Sequence, residues 1–140
     1  MVKRRKTWVY SPPKPPKPPK PTVSEAVKIA VEARARELIE SSLKPLHVKP
    51  PPDDGRLNYI VDIDTKWYRS YFYFFATYRS PGPTAIAPSF EAKFARLEYV
   101  GANRFNLAFM RHTGQWVEPY PDLSLEQCLE AIKDDPFFIP

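Results

Sequence analysis

Residues 56–79, RLNYIVDIDTKWYRSYFYFFATYR, decide the fold class of this chain. From Arg56 the apolar and polar side chains alternate with a period of two through residues 57–63, which indicates a strand. A second, long strand is predicted over about residues 67–78, where aromatic side chains predominate. The middle of the chain is therefore expected to form a sheet.

A helix is predicted ahead of these strands. Thr22-Val-Ser-Glu25 has the spacing of a capping box, and a helical run follows to about Ser42. Pro45 and the loop sequence PPPDDG at residues 50–55 are expected to end that helix. One apolar stripe at helical spacing is expected to face the core, and it consists of Val27, Val31, Ala35 and Leu38.

Shorter strands and a second helix are predicted after the loop that begins at Ser80. The strands cover about residues 92–100, 104–111 and 115–118, and Pro119 weakens the last of them. Ser124 and Gln127 cap the final helix, and residues 137–139 are expected to pack back on the core. The prediction is an α+β domain in two layers over residues 22–140: an N-terminal helix, an antiparallel meander of four to five strands, and a C-terminal helix.

Residues 1–21 form a basic, proline-rich tail that we expect to be disordered or in a polyproline II helix. Its repeat PPKPPKPPKP at residues 12–21 has the three-residue period of that helix, so its lysines share one edge. A solubilising spacer, a phosphate-contacting arm and a docking peptide for a proline-recognising protein all fit this pattern. The tail contributes seven positive charges, from Lys3, Arg4, Arg5, Lys6, Lys14, Lys17 and Lys20.

Composition limits the cellular setting and the size of the protein. At 140 residues the chain has room for one hydrophobic core. Its single cysteine, Cys128, excludes an internal disulfide and suits a reducing compartment. We find no secretory signal and no apolar run of the roughly 20 residues that a membrane span requires. We therefore expect a cytoplasmic protein without a membrane partner; the oligomeric state is left open.

The C-terminal third contains FARLEYV at residues 94–100, FNLAFMRHTGQW at residues 105–116, and a closing Asp-Pro-Phe-Phe after a short helix. In these stretches it resembles a family of small, uncharacterised bacterial proteins. The features shared are a strand, Met-Arg, a turn and a tryptophan. The family is a domain of unknown function, so the resemblance implies no activity, ligand or catalytic residue.

The aromatic strand is the first candidate for a binding surface. On strict alternation Trp67, Arg69, Tyr71, Tyr73 and Arg79 lie on one face. If both faces are covered, the strand is simply the centre of the sheet. If this face is open, its aromatic rings would stack bases while Arg69 and Arg79 neutralise phosphates.

The sequence gives less support to a catalytic function than to a binding function. Asp62 and Asp64 share a strand face, and Glu91 and Lys93 open a later strand, so a Mg²⁺-dependent nuclease site is a remote alternative. The histidines lack partners at metal-ligand spacing, and Cys128 is expected in the core. We predict no metal, no cofactor and no catalytic residue.

The hairpin at residues 110–116 is the last candidate. Arg111 and Trp116 are expected to lie near each other across the turn, as a stacked pair at a recognition tip or as a stabilised hairpin. Taken together, the patterns favour a non-catalytic binding module for nucleic acid, with the tail supplying charge and the aromatic face supplying stacking. A protein-interaction adaptor that docks through the tail is the alternative.

Overall fold

The computed structural model describes residues 21–83, 85 and 87–140, so the predictions for the tail residues 1–20 lie outside the described part. Five antiparallel strands form one sheet in sequence order, with each strand beside its neighbour in the chain. The fold is α+β, as the sequence predicted. The strands are β1 Tyr59–Tyr68, β2 Tyr71–Arg79, β3 Ser89–Gly101, β4 Arg104–Met110 and β5 Trp116–Ser124.

The helices begin where short polar side chains cap them. Ser24 caps α1 (Glu25–Leu38) by accepting a hydrogen bond from the amide of Val27, so Thr22 is not the cap that the sequence predicted. Ser124 and Gln127 form the predicted capping box of α3 (Leu125–Asp134). Because α1 and α3 both bury residues in one cluster with strand residues of the sheet, the molecule has two layers.

Pro45 does not end the first helix, contrary to the prediction. The chain passes from α1 through a π-helical turn, Ile39–Leu43, into α2 (Lys44–His47), where Pro45 lies in the first turn and is tolerated. The π-helical turn also places Ile39 and Leu43 in the core, and both are fully buried.

The long aromatic strand of the sequence prediction is two elements. Arg69 and Ser70 form a two-residue turn between β1 and β2, and Arg69 has a φ of 55°. Trp67 therefore belongs to β1 and lies opposite Phe72, with ring centroids 4.8 Å apart. This places Trp67 on the helix side of the sheet, and its predicted position beside Tyr71 and Tyr73 is wrong.

Bulges determine which side chains face the helices. The β1–β2 register shifts at Val61 and the β2–β3 register shifts at Phe94. As a result Ile60 and Ile63, rather than a strict alternation, contact the core, and Phe94 and Ala95 are both buried.

β5 is longer than predicted because it lies at the edge of the sheet. It continues through Pro119 and Pro121 to Ser124, with two register shifts against β4. An edge strand needs only one set of ladder hydrogen bonds, so prolines are accommodated there.

The C-terminal residues return to the core in part. Asp135 caps a 3₁₀ turn, Pro136–Phe138, and Phe138 is fully buried. Phe137 stacks on Phe109 at 4.7 Å but remains exposed, as does Ile139. In the described part of the chain, no helix is long and apolar enough to cross a membrane.

Candidate nucleic-acid interface

The face of the sheet opposite the helices carries a cluster of aromatic and basic side chains. Tyr73 of β2 lies opposite Arg96 of β3, and Phe75 lies opposite Lys93. Tyr71, Tyr73 and Trp116 are half-buried, whereas their β2 neighbours Phe72, Phe74 and Ala76 are fully buried beneath the helices. We call Tyr71, Tyr73, Lys93, Arg96 and Trp116 the aromatic–cation cluster.

Close contacts join the members of this cluster. The Arg96 guanidinium lies 4.9 Å from the ring centroid of Tyr71 and 4.9 Å from that of Trp116. The Lys93 ammonium lies 4.4 Å from the ring of Tyr73. The ring of Tyr73 is 6.1 Å from Tyr71 and 5.8 Å from Trp116, so the three rings form a continuous row.

Arg96 is the central and most buried cation of the cluster. Its side chain is 19% exposed, and Glu118 of β5 approaches its guanidinium at 4.0 Å. Its Nε is buried and has no hydrogen-bond partner. The guanidinium is therefore held by the two flanking rings more than by acceptors, which is typical of an arginine that stacks.

Acidic residues on the same face offset its positive charge. Lys66 pairs with Glu91 at 3.4 Å and also lies 4.9 Å from the ring of Phe75. Glu98 lies opposite Tyr71 in the register and accepts a hydrogen bond from Asn106. The open face therefore provides aromatic surface and local cations, without a large excess of positive charge.

The residues predicted for the aromatic strand face do not all lie together in the structure. Tyr71 and Tyr73 lie together on the open face. Arg69 lies in the β1–β2 turn with its guanidinium 5.2 Å from the ring of Tyr68. Arg79 is exposed at the far end of β2. Arg69 therefore lies just before β2 and Arg79 is its last residue, with both tyrosines between them.

Arg96 supplies the charge that the sequence analysis had assigned to Arg111. Trp116 lies opposite Met110 in the β4–β5 register, while Arg111 is exposed at the start of the turn, with its amide bonded to the carbonyl of Gln115. The cation over the Trp116 ring comes from β3. Sequence alternation missed Arg96 because the bulge at Phe94 moves it onto the same face as Lys93.

The residues of the nuclease hypothesis are engaged elsewhere. Asp62 pairs with Lys44 at 3.2 Å and Asp64 with Arg36 at 2.7 Å, so both aspartates are tied to the helical layer. Glu91 and Lys93 lie across β2 from them. Among the described residues no group of three or more His, Cys, Asp or Glu side chains is arranged to hold a metal ion.

Cys128 lies in the hydrophobic core, and His47 is half-buried. Cys128 is fully buried, and desolvation raises the pKa of its thiol to about 12, so the thiolate is scarce at neutral pH. Burial, followed by the charge of Lys49, lowers the pKa of His47. His112 is exposed at the β4–β5 turn.

A hydrogen bond from Tyr120 to Asp135 makes stability depend on pH in the alkaline range. The bond raises the pKa of Tyr120 above its ordinary value, so the folded chain holds the phenolic proton more tightly than the unfolded chain. The stabilisation is complete below a pH of about 10 and is lost as the pH rises through the folded-state pKa.

We predict that Tyr120→Phe lowers the free energy of unfolding at pH 8 and makes it fall less steeply above a pH of about 10. Urea titrations at a series of pH values would measure both effects. Tyr78, whose pKa is raised by burial, remains in both proteins, so the difference between them isolates Tyr120. Parallel pH profiles for wild type and variant would contradict the assignment.

Comparison with known proteins places the chain in a family without assigning an activity. No curated protein and no solved structure matches the chain. Residues 23–140 match a family described as a domain of unknown function, DUF3024. The match covers all three α-helices and all five strands, and it includes every residue of the aromatic–cation cluster. The chain belongs to the DUF3024 family.

Proposed function

We propose that this protein binds single-stranded nucleic acid through the aromatic–cation cluster, with the basic residues of the tail supplying most of the electrostatic attraction. One observation carries the proposal: three half-exposed rings in a row, interleaved with Arg96 and Lys93, lie on the sheet face that the helices leave uncovered. Sheet-based binders of single strands stack bases on such rings.

The spacing of the rings favours an unpaired strand. Neighbouring rings are 6.1 and 5.8 Å apart, compared with about 3.4 Å per base along a strand of a duplex. Bases stacked on successive rings must therefore be separated from one another. A duplex keeps its bases paired and stacked, so it cannot offer them to the rings.

The cations of the cluster have a role in this arrangement. Lys93 is exposed, and a phosphate can draw its ammonium away from the ring of Tyr73, which leaves that ring open to a base. Arg96 is held between Tyr71 and Trp116 and extends the stacking surface, because the planar guanidinium itself stacks with aromatic groups.

Long-range attraction comes from outside the sheet. Residues 1–22 carry seven positive charges and no negative one, while residues 23–140 have a formal charge of −2. The folded domain alone therefore attracts a polyanion weakly. The two parts have separate roles in the proposal: the tail draws the strand in, and the cluster stacks its bases.

The test compares the full chain with a variant that starts at Thr22, titrated against labelled single and double strands that lack terminal phosphates. Seven neutralised phosphates give a log–log salt slope of about −5 for a single strand, at roughly 0.7 per contact. We expect a slope approaching this value for the full chain, a shallower slope for the truncated form, and tighter binding of single than of double strands by both.

Two results would overturn the proposal. Absence of binding by either form at low salt would exclude a nucleic-acid partner and favour the adaptor hypothesis, which a pull-down with residues 12–21 and a Pro15 and Pro18 double replacement would then examine. Equal affinity for single and double strands would show that base stacking contributes nothing.

A further inference from the structure

A second candidate site lies at the end of the molecule where the β1–β2 turn meets the start of α1. A pocket of about 530 Å³ opens there, and Thr22, Lys28, Tyr68, Arg69 and Ser70 are among the residues that line it. It shares Tyr71 with the aromatic–cation cluster but otherwise consists of different residues. None of the described residues that line it is acidic.

Ser70 is the feature that points to a ligand. Only 6% of the residue is exposed, and its hydroxyl has no hydrogen-bond partner. Its backbone is fixed, because the carbonyl accepts a hydrogen bond from the amide of Tyr99 at 2.9 Å. A buried hydroxyl without a partner is rare in folded proteins, since its desolvation is left uncompensated. A bound acceptor in the pocket would satisfy it.

The surroundings of Ser70 favour an anionic acceptor. Lys28 extends from α1 and Arg69 from the turn, and the pocket adjoins the N-terminal end of α1, where peptide dipoles favour negative charge. The ion pair of Lys28 with Glu25 is long, at 3.9 Å, and Glu25 is 84% exposed, so this pair is weak. Lys28 can therefore turn to a ligand at little cost.

Arg69 occupies an unusual position for an arginine. With a φ of 55° it adopts a left-handed conformation in which glycine and asparagine are much more common. Glycine or asparagine would suit this turn, yet the position holds Arg69, whose side chain brings five N–H donors to the mouth of the pocket. A bidentate contact with a tetrahedral oxyanion uses such donors.

We propose that this pocket binds the phosphate group of a phosphomonoester. Ser70 donates its buried hydroxyl to one phosphate oxygen, and Lys28 and Arg69 neutralise the charge. Tyr68, which is 57% exposed at the rim, offers a ring face to the remainder of the ligand. The phosphate belongs either to a small phosphorylated molecule or to the terminal phosphate of a nucleic-acid strand.

Calorimetry and NMR on the full chain test this proposal, with adenosine 5′-monophosphate, adenosine and inorganic phosphate as probes. We expect the monophosphate to bind, adenosine not to bind, and the amide signals of Ser70 and Tyr99 to shift. Ser70→Ala should weaken binding at least tenfold without lowering stability, because the hydroxyl it removes has no partner in the fold. Binding of adenosine as tight as that of its monophosphate would overturn the proposal.

Two further variants keep the test independent of folding. Arg69→Asn suits the left-handed turn and removes the cation, so it should weaken phosphate binding while the domain stays folded. Lys28→Met should do the same, whereas Lys133→Met, an equivalent change at an exposed position of α3, should leave binding intact. Unchanged affinity in Ser70→Ala and Arg69→Asn would overturn the proposal.

The affinities of strands with and without a 5′-phosphate distinguish the two sources of the phosphate. Tighter binding of the phosphorylated strand, abolished by Ser70→Ala, assigns the pocket to strand ends. Binding of the monophosphate with no gain for the phosphorylated strand assigns it to a small molecule. Since the strands used to test the aromatic–cation cluster lack terminal phosphates, failure of one proposal leaves the other standing.

Discussion

Phe72→Ala is expected to lower the free energy of unfolding by about 3–5 kcal/mol, the usual cost of removing a buried phenylalanine side chain. Phe72 is fully buried at the centre of the sheet, between Trp67 of β1 and Leu97 of β3. Its ring contacts Trp67 at 4.8 Å and Phe74 at 5.5 Å. The substitution leaves a cavity that a close-packed interior cannot close.

Urea unfolding followed by circular dichroism measures this loss, with Phe90→Ala as the matched control. Phe90 is also an aromatic strand residue, but it is 42% exposed and stacks on Tyr78 where β2 ends and β3 begins. We expect the control to lose less than half as much stability. Domains of this size have a total stability of about 5–15 kcal/mol, so Phe72→Ala is expected to unfold at a much lower urea concentration. Similar losses in the two variants would contradict the burial described for Phe72.

Local rules were sufficient to predict much of the architecture. The Ser124 and Gln127 capping box, the strand that follows Arg56 and the turn at residues 101–103 depend on short stretches of sequence. Cys128 also follows a local rule, because its place on the apolar side of α3 predicts burial. Such elements were found because neighbouring residues alone determine them.

The errors arose where the structure departs from regular geometry. Arg69-Ser70 contains neither glycine nor asparagine, so nothing in its composition marks a turn with positive φ. The π-helical turn ahead of Pro45 and the bulge at Phe94 likewise have no short signature. The turn separates Trp67 from the alternation of β2, which is why Trp67 was placed on the wrong face. The bulge changes the face of the residues that follow it in β3, which is why Arg96 was missed.

The candidate site was only partly predictable for the same reason. Tyr71 and Tyr73 share a face by simple alternation within one strand. Their neighbours Arg96 and Trp116 come from β3 and β5, and only the order and register of the strands bring them together. The phosphate pocket could not be predicted, since it depends on the unpartnered hydroxyl of Ser70 and the approach of α1.

Replacing two rings of the cluster should nearly abolish single-strand binding. Stacking contributes about 1–3 kcal/mol per base, so the double variant Tyr73→Leu with Trp116→Leu is expected to lose about 2–4 kcal/mol, or roughly 30- to 1,000-fold in affinity. The rings are 5.8 Å apart, so their effects need not add. Leucine keeps an apolar side chain over the sheet and removes the flat aromatic face, together with the Tyr73 hydroxyl and the Trp116 indole N–H.

Phe90→Leu is the matched control for this variant, because it removes a partly exposed aromatic ring from the opposite face of the sheet. Its affinity for a single strand should equal that of wild type. Urea unfolding of each protein ensures that affinities are compared between folded chains.

The most direct measurement is the affinity of the full chain, wild type and double variant, for one labelled single strand without terminal phosphates, by fluorescence anisotropy at moderate salt. The account predicts a loss of roughly 30-fold or more in the double variant and none in Phe90→Leu. A folded double variant that binds the strand as tightly as wild type would contradict the central claim that the aromatic–cation cluster is the nucleic-acid interface.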